Sequence, residues 1–151
     1  MTTTAYDSAY PSLIPPGAPA ILPYADGRFA WHNSEFPRAR YRYITVLGNP
    51  HVDICDYEPG CVWPASNARA WAIARHKIYP DLTFYCDRAN LPGLREELEP
   101  LGLEWHLILA TLDGSQPAEY DGIQLRGVQY TDRSGAYDLS LIYDDNWLWQ
   151  P

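Results

Sequence analysis

The sequence predicts an α/β fold in which eight short strands, joined mostly by loops, close into a small, reduced (β/α) barrel. Three observations predict it. Strand-like runs of β-branched and aromatic residues recur along the whole chain, without an internal repeat or a linker. Clear helical patterns follow only the fourth and fifth of these runs, as in βα units with parallel strands. Carboxylates collect near strand ends, where barrels of this kind carry their functional groups. At 151 residues the chain falls well short of the ~250 typical of such barrels, so several helices must be reduced to loops. The same pattern also allows an open mixed sheet with helices on its faces. Either way, residues 1–151 are expected to form one domain.

Residues 5–10 form the first strand candidate, ended by Pro11, with Asp7 as its only charge. Four prolines and a glycine between Pro11 and Pro19 make an irregular connection. Residues 20–25 follow as a second strand, which Pro23 weakens or bulges before Asp26-Gly27 closes it. The stretch to Arg40 has room for one short helical turn near Asn33-Ser34. Tyr41–Leu47 is the clearest strand by composition. Gly48-Asn49-Pro50 then leads into the strand Val52–Glu58, too tightly for a crossover helix, so a hairpin or an angled pair is expected.

Residues 64–77 read as a helix with Ser66 as N-cap and Ala68, Trp71, Ala72 and Arg75 on one stripe. Trp71 is expected in the core. Residues 81–86 form the fifth strand. A second helix spans about Leu91 to Leu101, with Leu91, Leu94 and Leu98 inward and Gly102 as its C-terminal cap. Strands at 104–110, 122–130 and 137–143 complete the eight. A polar loop at 115–121 and a turn at Ser134-Gly135 connect the last three. The tail from Asp144 carries Trp147 and Trp149 and is expected to fold back over an apolar edge.

Composition excludes several functions. A formal net charge of -8 and a pI near 4.8 argue against a nucleic-acid partner and an anionic membrane surface. No apolar run has the length of a membrane span. The start, Met-Thr-Thr-Thr-Ala-Tyr-Asp, has neither a basic region nor an apolar core, so no signal peptide is expected and synthesis is placed in the cytoplasm. Three cysteines without a CxxC pair read as free thiols, though Cys61 could pair with Cys55 or Cys86 if the fold brought them together. Four scattered histidines have no ligand spacing, so no metal site and no cofactor are expected.

The strand Val52-Asp53-Ile54-Cys55-Asp56-Tyr57-Glu58 is the centre of the functional reading. Side chains two apart on a strand share a face, which puts Asp56 and Glu58 together and Cys55 and Tyr57 opposite. Crowded carboxylates repel, and one of them has its pKa raised, as a general acid requires. An acidic surface turn before Pro59-Gly60 fits the local pattern as well. In a closed barrel the first and last strands are neighbours, so Asp7 and Asp138 come together across from Asp56 and Glu58. Such a set suits glycoside hydrolysis, in which one acid protonates the leaving oxygen and a second group stabilises or attacks the cationic carbon.

Several segments, in order, resemble the family 25 glycoside hydrolases, the cell-wall muramidases. They are still closer to the shortened glycoside-hydrolase-like domain of unknown function common in actinobacteria and their phages. Tyr6-Asp7-Ser8 is similar to the family's opening Ile-Asp-Val-Ser strand, and Asp56-Tyr57-Glu58-Pro59 to its Asp-x-Glu strand end. Phe84-Tyr85-Cys86 resembles the family's Tyr-containing strand before a helix. Gln129-Tyr130 with Tyr137-Asp138-Leu139-Ser140 resembles its closing pattern. The resemblance implies a TIM-like barrel and cleavage of the β-1,4 bond after N-acetylmuramic acid in peptidoglycan, with no cofactor. It implies Glu58 as proton donor, Asp56 as the group that orients or supports the reacting sugar, and Asp7 and Asp138 completing an acidic floor. Trp31, Trp63 and Tyr130 are expected to contact the sugar.

Departures from the family leave a second expectation open. The region between the second and fourth strands is compressed, and Ala110-Thr111 stands where the family tends to carry an acid. These changes fit a catalytically inactive carbohydrate-binding or assembly protein, for example in a phage virion, with a protein partner at the Trp147/Trp149 tail. The acids could also simply cap strands and bind cations. A phage origin would carry the protein to the wall in a virion or by a holin-type or other non-classical route.

Overall fold

The structure, a computed structural model, describes residues 1–133 and 135–151; Ser134 of the expected Ser134-Gly135 turn lies outside the described residues. In chain order the elements begin with β1 (Thr3–Asp7), β2 (Ala20–Ile21), β3 (Arg40–Tyr41), β4 (Ile44–Thr45) and β5 (Ile54–Asp56). Then come α1 (Ala65–His76), β6 (Thr83–Asp87), α2 (Leu91–Leu98) and β7 (His106–Ala110). The chain ends with β8 (Glu119–Tyr120), β9 (Ile123–Gln124), β10 (Gly127–Asp132) and β11 (Asp138–Ile142). Nine strands form one sheet in the order β3-β2-β1-β11-β10-β7-β6-β5-β4, and β8-β9 is a separate hairpin. The fold is thus mixed α/β, with a large curled sheet and few helices. Among the described residues no helix is long and apolar enough to cross a membrane.

Chain length alone forces the curl. The first and last strands of the order, β3 and β4, are separated only by Arg42 and Tyr43. The three steps from Tyr41 to Ile44 span at most about 11 Å, whereas nine strands laid flat at ~4.8 Å spacing would put these edges nearly 40 Å apart. The sheet ends therefore approach each other. Tyr24, just beyond β2, forms a parallel bridge with Ile44 of β4. The Ala25 N–H donates to the Ile44 carbonyl at 2.8 Å, and the Ile44 N–H to the Pro23 carbonyl at 2.9 Å.

Alternation along the strands sorts side chains onto the two faces of the curl. Ala5, Ala20, Leu22, Ile44, Ile54, Ile108 and Ile142 meet inside it, with Trp147 and Leu148. Cys55, Phe84, Cys86, Leu107 and Leu109 face outward and pack under α1 and α2. The stripes expected on both helices are the buried ones: Ala68, Trp71, Ala72 and Arg75 on α1, and Leu91, Leu94 and Leu98 on α2. Pro64 is the residue capping α1, without a side-chain hydrogen bond, so Ser66 is not the cap. A 3-10 turn over Glu99–Leu101 ends in Gly102 at φ 64°. The helical turn expected near Asn33 is a 3-10 turn, Asn33–Glu35, capped by His32 Nδ1, which accepts from the Ser34 N–H at 3.1 Å.

Other expectations are corrected. The run Tyr41–Leu47 is not one strand, because Asp53 draws the chain off line at its middle. The Asp53 carboxylate accepts from the Tyr43 N–H at 3.0 Å and pairs with Arg42 at 3.0 Å and buried Arg75 at 3.6 Å. The next two segments form neither a hairpin nor an angled pair: β4 and β5 are parallel, Ile44 opposite Ile54. Side chains replace the missing crossover helix by tying down the connecting loop. Thr45 Oγ1 accepts from the Gly48 and Asn49 N–H groups at 2.9 Å, Asp26 from Val46 at 2.8 Å, and Trp71 Nε1 donates to the Asn49 carbonyl at 3.0 Å. The expected strand 122–130 is likewise split into β9 and β10, and the loop at 115–121 contains β8. Finally, β11 runs antiparallel to both its neighbours, β1 and β10, so the sheet is not wholly parallel.

Gly127 marks a close approach of β10 to β11. A Cβ there would lie 2.8 Å from the Leu141 carbonyl oxygen and 2.9 Å from Ile142 Cδ1. Gly127→Ala is expected to cost about 1–3 kcal/mol by overpacking against backbone that cannot yield. Urea unfolding measures this, and an unchanged midpoint would refute it.

Candidate active site

The strand directions bring acids to one rim. Asp7 is the last residue of β1 and Asp138 the first of β11, and the two are register partners. The first strand ends earlier than its sequence pattern suggests, which moves Asp7 from mid-strand to this rim. Asp56 ends β5, opposite Tyr85 of β6. Alternation turns Asp56 inward, above Ile54, while Cys55 and Tyr57 pack outward. Glu58 follows on the same side. These four acids line a pocket of about 220 Å³ together with Asp132, Tyr24, Tyr85 and Gln129. Among the described residues no basic side chain lines it.

Burial and mutual repulsion work in the same direction here. Asp7 is only 3% exposed. Loss of solvent, then the nearby charges of Asp138 and Asp56, raise its pKa well above the usual carboxylate range. The Tyr24 hydroxyl opposes this in part by donating to Asp7 Oδ1 at 3.3 Å. Asp56 is pushed up to about 8, by burial first and the charge of Glu58 second. Its Oδ1 is buried without a hydrogen-bond partner. Glu58, only half-buried, is raised mainly by burial. Burial raises Asp138 as well. The Tyr85 hydroxyl donates to Gln129 Oε1, which fixes the wall between β6 and β10. A pocket with these properties retains protons at neutral pH or attracts a cation.

The loop after β5 shapes the mouth. Glu58-Pro59-Gly60-Cys61 is a tight turn in which the Cys61 N–H donates to the Glu58 carbonyl at 3.0 Å. Proline at its second position and Gly60 at φ 92° match the type II requirement. The next N–H, of Val62, donates to the Asp56 carbonyl at 3.0 Å. The chain therefore doubles back and sets the Cys61 thiol beside both carboxylates. Its Sγ lies 3.7 Å from Glu58 Oε1. An adjoining groove of about 440 Å³ shares Tyr24, Asp56 and Glu58 with the pocket and adds Asp26, Arg28, Phe29, Leu47 and Cys61.

Of the residues predicted from sequence, Asp7, Asp56, Glu58 and Asp138 come together. The three aromatic contacts do not join them, since none lines the pocket or the groove. Trp31 is turned away, its Nε1 donating to the Ser8 carbonyl at 2.9 Å. Trp63 stacks on Tyr57 at 5.2 Å between ring centroids. Tyr130 sits where the β10–β11 register slips between Gln129 and Thr131, the extra residue of a bulge. Sequence reading missed Tyr24, Tyr85, Gln129 and Cys61. Tyr85 carried a usable signal, because Phe84 and Cys86 on either side are apolar and outward. The three cysteines are free. In the tail, Trp147 is buried and its Nε1 donates to Asp81 at 3.1 Å, while Trp149 remains half-exposed.

Comparison with protein-family models, with curated proteins and with solved structures finds no match for this chain.

Proposed function

We propose that the chain is a glycoside-hydrolase-like domain on a reduced (β/α) TIM-like barrel, acting on bacterial cell-wall glycan as a muramidase does. The observation that carries this reading is the convergence of Asp7, Asp56, Glu58 and Asp138 on one pocket, with Arg28 lining only the adjoining groove. The bridge between Tyr24 and Ile44, where the sheet ends meet, supports the barrel.

Glu58 is the proton donor. It is the half-buried acid facing both pocket and groove, so a glycosidic oxygen in the groove can reach it while burial keeps its proton on. Asp56 holds the inner face of the pocket beside it. Asp7, held by the Tyr24 hydroxyl, and Asp138 face the place where the sugar carbon becomes cationic, and negative charge reaches it only as one of the pair gives up its proton. The pocket alone is smaller than the ~300–1,000 Å³ of ordinary ligand sites, and the groove extends it into that range. Within this reading the protein is made in the cytoplasm and reaches the wall in a phage particle or through a lysis route.

One observation favours a second reading, a non-catalytic glycan-binding or virion-assembly domain. Trp31, Trp63 and Tyr130 offer no sugar platform at the mouth. Purified protein incubated with peptidoglycan separates the two. Release of reducing sugar supports the hydrolase; a folded protein that binds the glycan and releases none supports the binding domain.

A further inference from the structure

The turn after β5 gathers three donors whose chemistry differs from that of the other pocket acids. Asp56, Glu58 and Cys61 each offer one ligand atom, and these atoms lie within 4.8 Å of one another. The Cys61 Sγ to Glu58 Oε1 distance, 3.7 Å, is already close to the ~3.6 Å between a sulfur and an oxygen that share a tetrahedral zinc ion. A second observation points to a ligand. Asp56 is 4% exposed, lines the groove that holds Cys61, and has a buried Oδ1 without a hydrogen-bond partner. A buried carboxylate oxygen in that state lacks the partner that such groups nearly always have.

We propose that Asp56, Glu58 and Cys61 form a three-ligand site for a thiophilic divalent cation, best matched by zinc. A thiolate with two carboxylate oxygens selects zinc or cobalt over magnesium and calcium, which take oxygen ligands alone. Three protein ligands leave a fourth position, and the ligands line the groove from which water or a substrate oxygen would fill it. Binding displaces the thiol proton and any carboxyl protons to solvent, and three anionic ligands then outweigh the dication by one charge. Asp7 and Asp138 line the far side of the pocket and are not ligands. The turn pre-forms the site, because the Cys61 and Val62 N–H bonds to Glu58 and Asp56 set the donor spacing without metal.

The site does not rest on the hydrolase reading: a Glu58 that ligates the metal has no proton to give, so the two roles belong to metal-bound and metal-free protein, and the test reads metal binding rather than hydrolysis. Reduced, chelator-treated protein is titrated with Co²⁺ and then with Zn²⁺. The expected result is one equivalent of Co²⁺ bound with a thiolate-to-cobalt charge-transfer absorption, bleached as Zn²⁺ displaces it. Cys61→Ser, at a partly exposed position, is expected to stay folded and lose that absorption. Asp56→Asn is expected to weaken Zn²⁺ by at least the ~10–100-fold that even outer-shell changes cost. The proposal is overturned if excess Co²⁺ gives no thiolate absorption in the parent. It is equally overturned if the absorption persists in Cys61→Ser, or if Asp56→Asn binds Zn²⁺ as tightly as the parent.

Discussion

Asp7→Asn is expected to make the protein more stable at pH 8 and to change it little at pH 4. The parent's stability is expected to fall as pH rises. The sign follows from the environment of Asp7. Its carboxyl is fully buried, faces Asp138 and Asp56, and has only the Tyr24 hydroxyl in its favour. Its pKa in the fold is raised well above the ordinary 3.8, so between that value and the raised one the folded chain holds a proton that the unfolded chain has released. Unfolding then releases a proton, and each pH unit across the window costs about 1.4 kcal/mol of stability. This is the reverse of the usual salt-bridged aspartate. Asparagine keeps an acceptor for Tyr24 and carries no charge to bury, so it removes this group's share of the slope. Denaturant unfolding of both proteins at pH 4, 6 and 8, with chelator present, makes the comparison. Parallel profiles would mean that Asp7 ionises in the fold as readily as in the unfolded chain.

The second large effect belongs to Glu58. On the hydrolase reading, Glu58→Gln keeps the shape of the pocket and removes the only proton that Glu58 can give. General-acid catalysis contributes ~10²–10⁴-fold, and a loss of that order in peptidoglycan hydrolysis is expected. The pH profile adds a check independent of folding. The parent rate is expected to fall on the alkaline side as Glu58 loses its proton, and burial moves that fall above the ordinary glutamate range. The variant's residual rate is expected to lack this limb. An active parent whose Glu58→Gln variant keeps both rate and limb would move the donor role to another acid, with Asp56 next in position.

Local patterns read correctly from the sequence where a single element decided them. The α1 stripe of Ala68, Trp71, Ala72 and Arg75 is buried as its spacing requires, whereas the expected helix to Leu101 ends as α2 at Leu98 and only the 3-10 turn after it reaches Gly102. The Asp7–Asp138 pairing followed from chain order, since the first and last strands of a curled sheet are neighbours. What could not be read depended on distant partners. Nothing local in Tyr41–Leu47 announces a break, because the break comes from Asp53 and, through it, Arg75 of a helix not yet formed at that point in the chain. The aromatic contacts failed for a related reason. Trp31 and Trp63 have the right chemistry for a sugar, but their neighbours Ser8 and Tyr57 decide which way they face. Cys61 reads from sequence as a free thiol, and it is one, but its place beside two carboxylates follows from a Pro-Gly turn that the sequence displayed openly.

The end of the sheet opposite the carboxylates is closed by charge and indole. Trp147 is buried there, with the guanidinium carbons of Arg42 and Arg126 at 5.0 and 4.8 Å from its ring centroid. The Met1 ammonium lies 3.5 Å from Asp145, and Trp149 bridges Tyr41. Both termini are therefore moored at the same pole, and the acidic mouth opens at the other. This gives the molecule the polarity of a cup on a stand. A neighbouring domain, a tag or a solid support joined at either terminus attaches to the stand, and the mouth points away from it. A surface loaded through either terminus would present every mouth outward, toward solution.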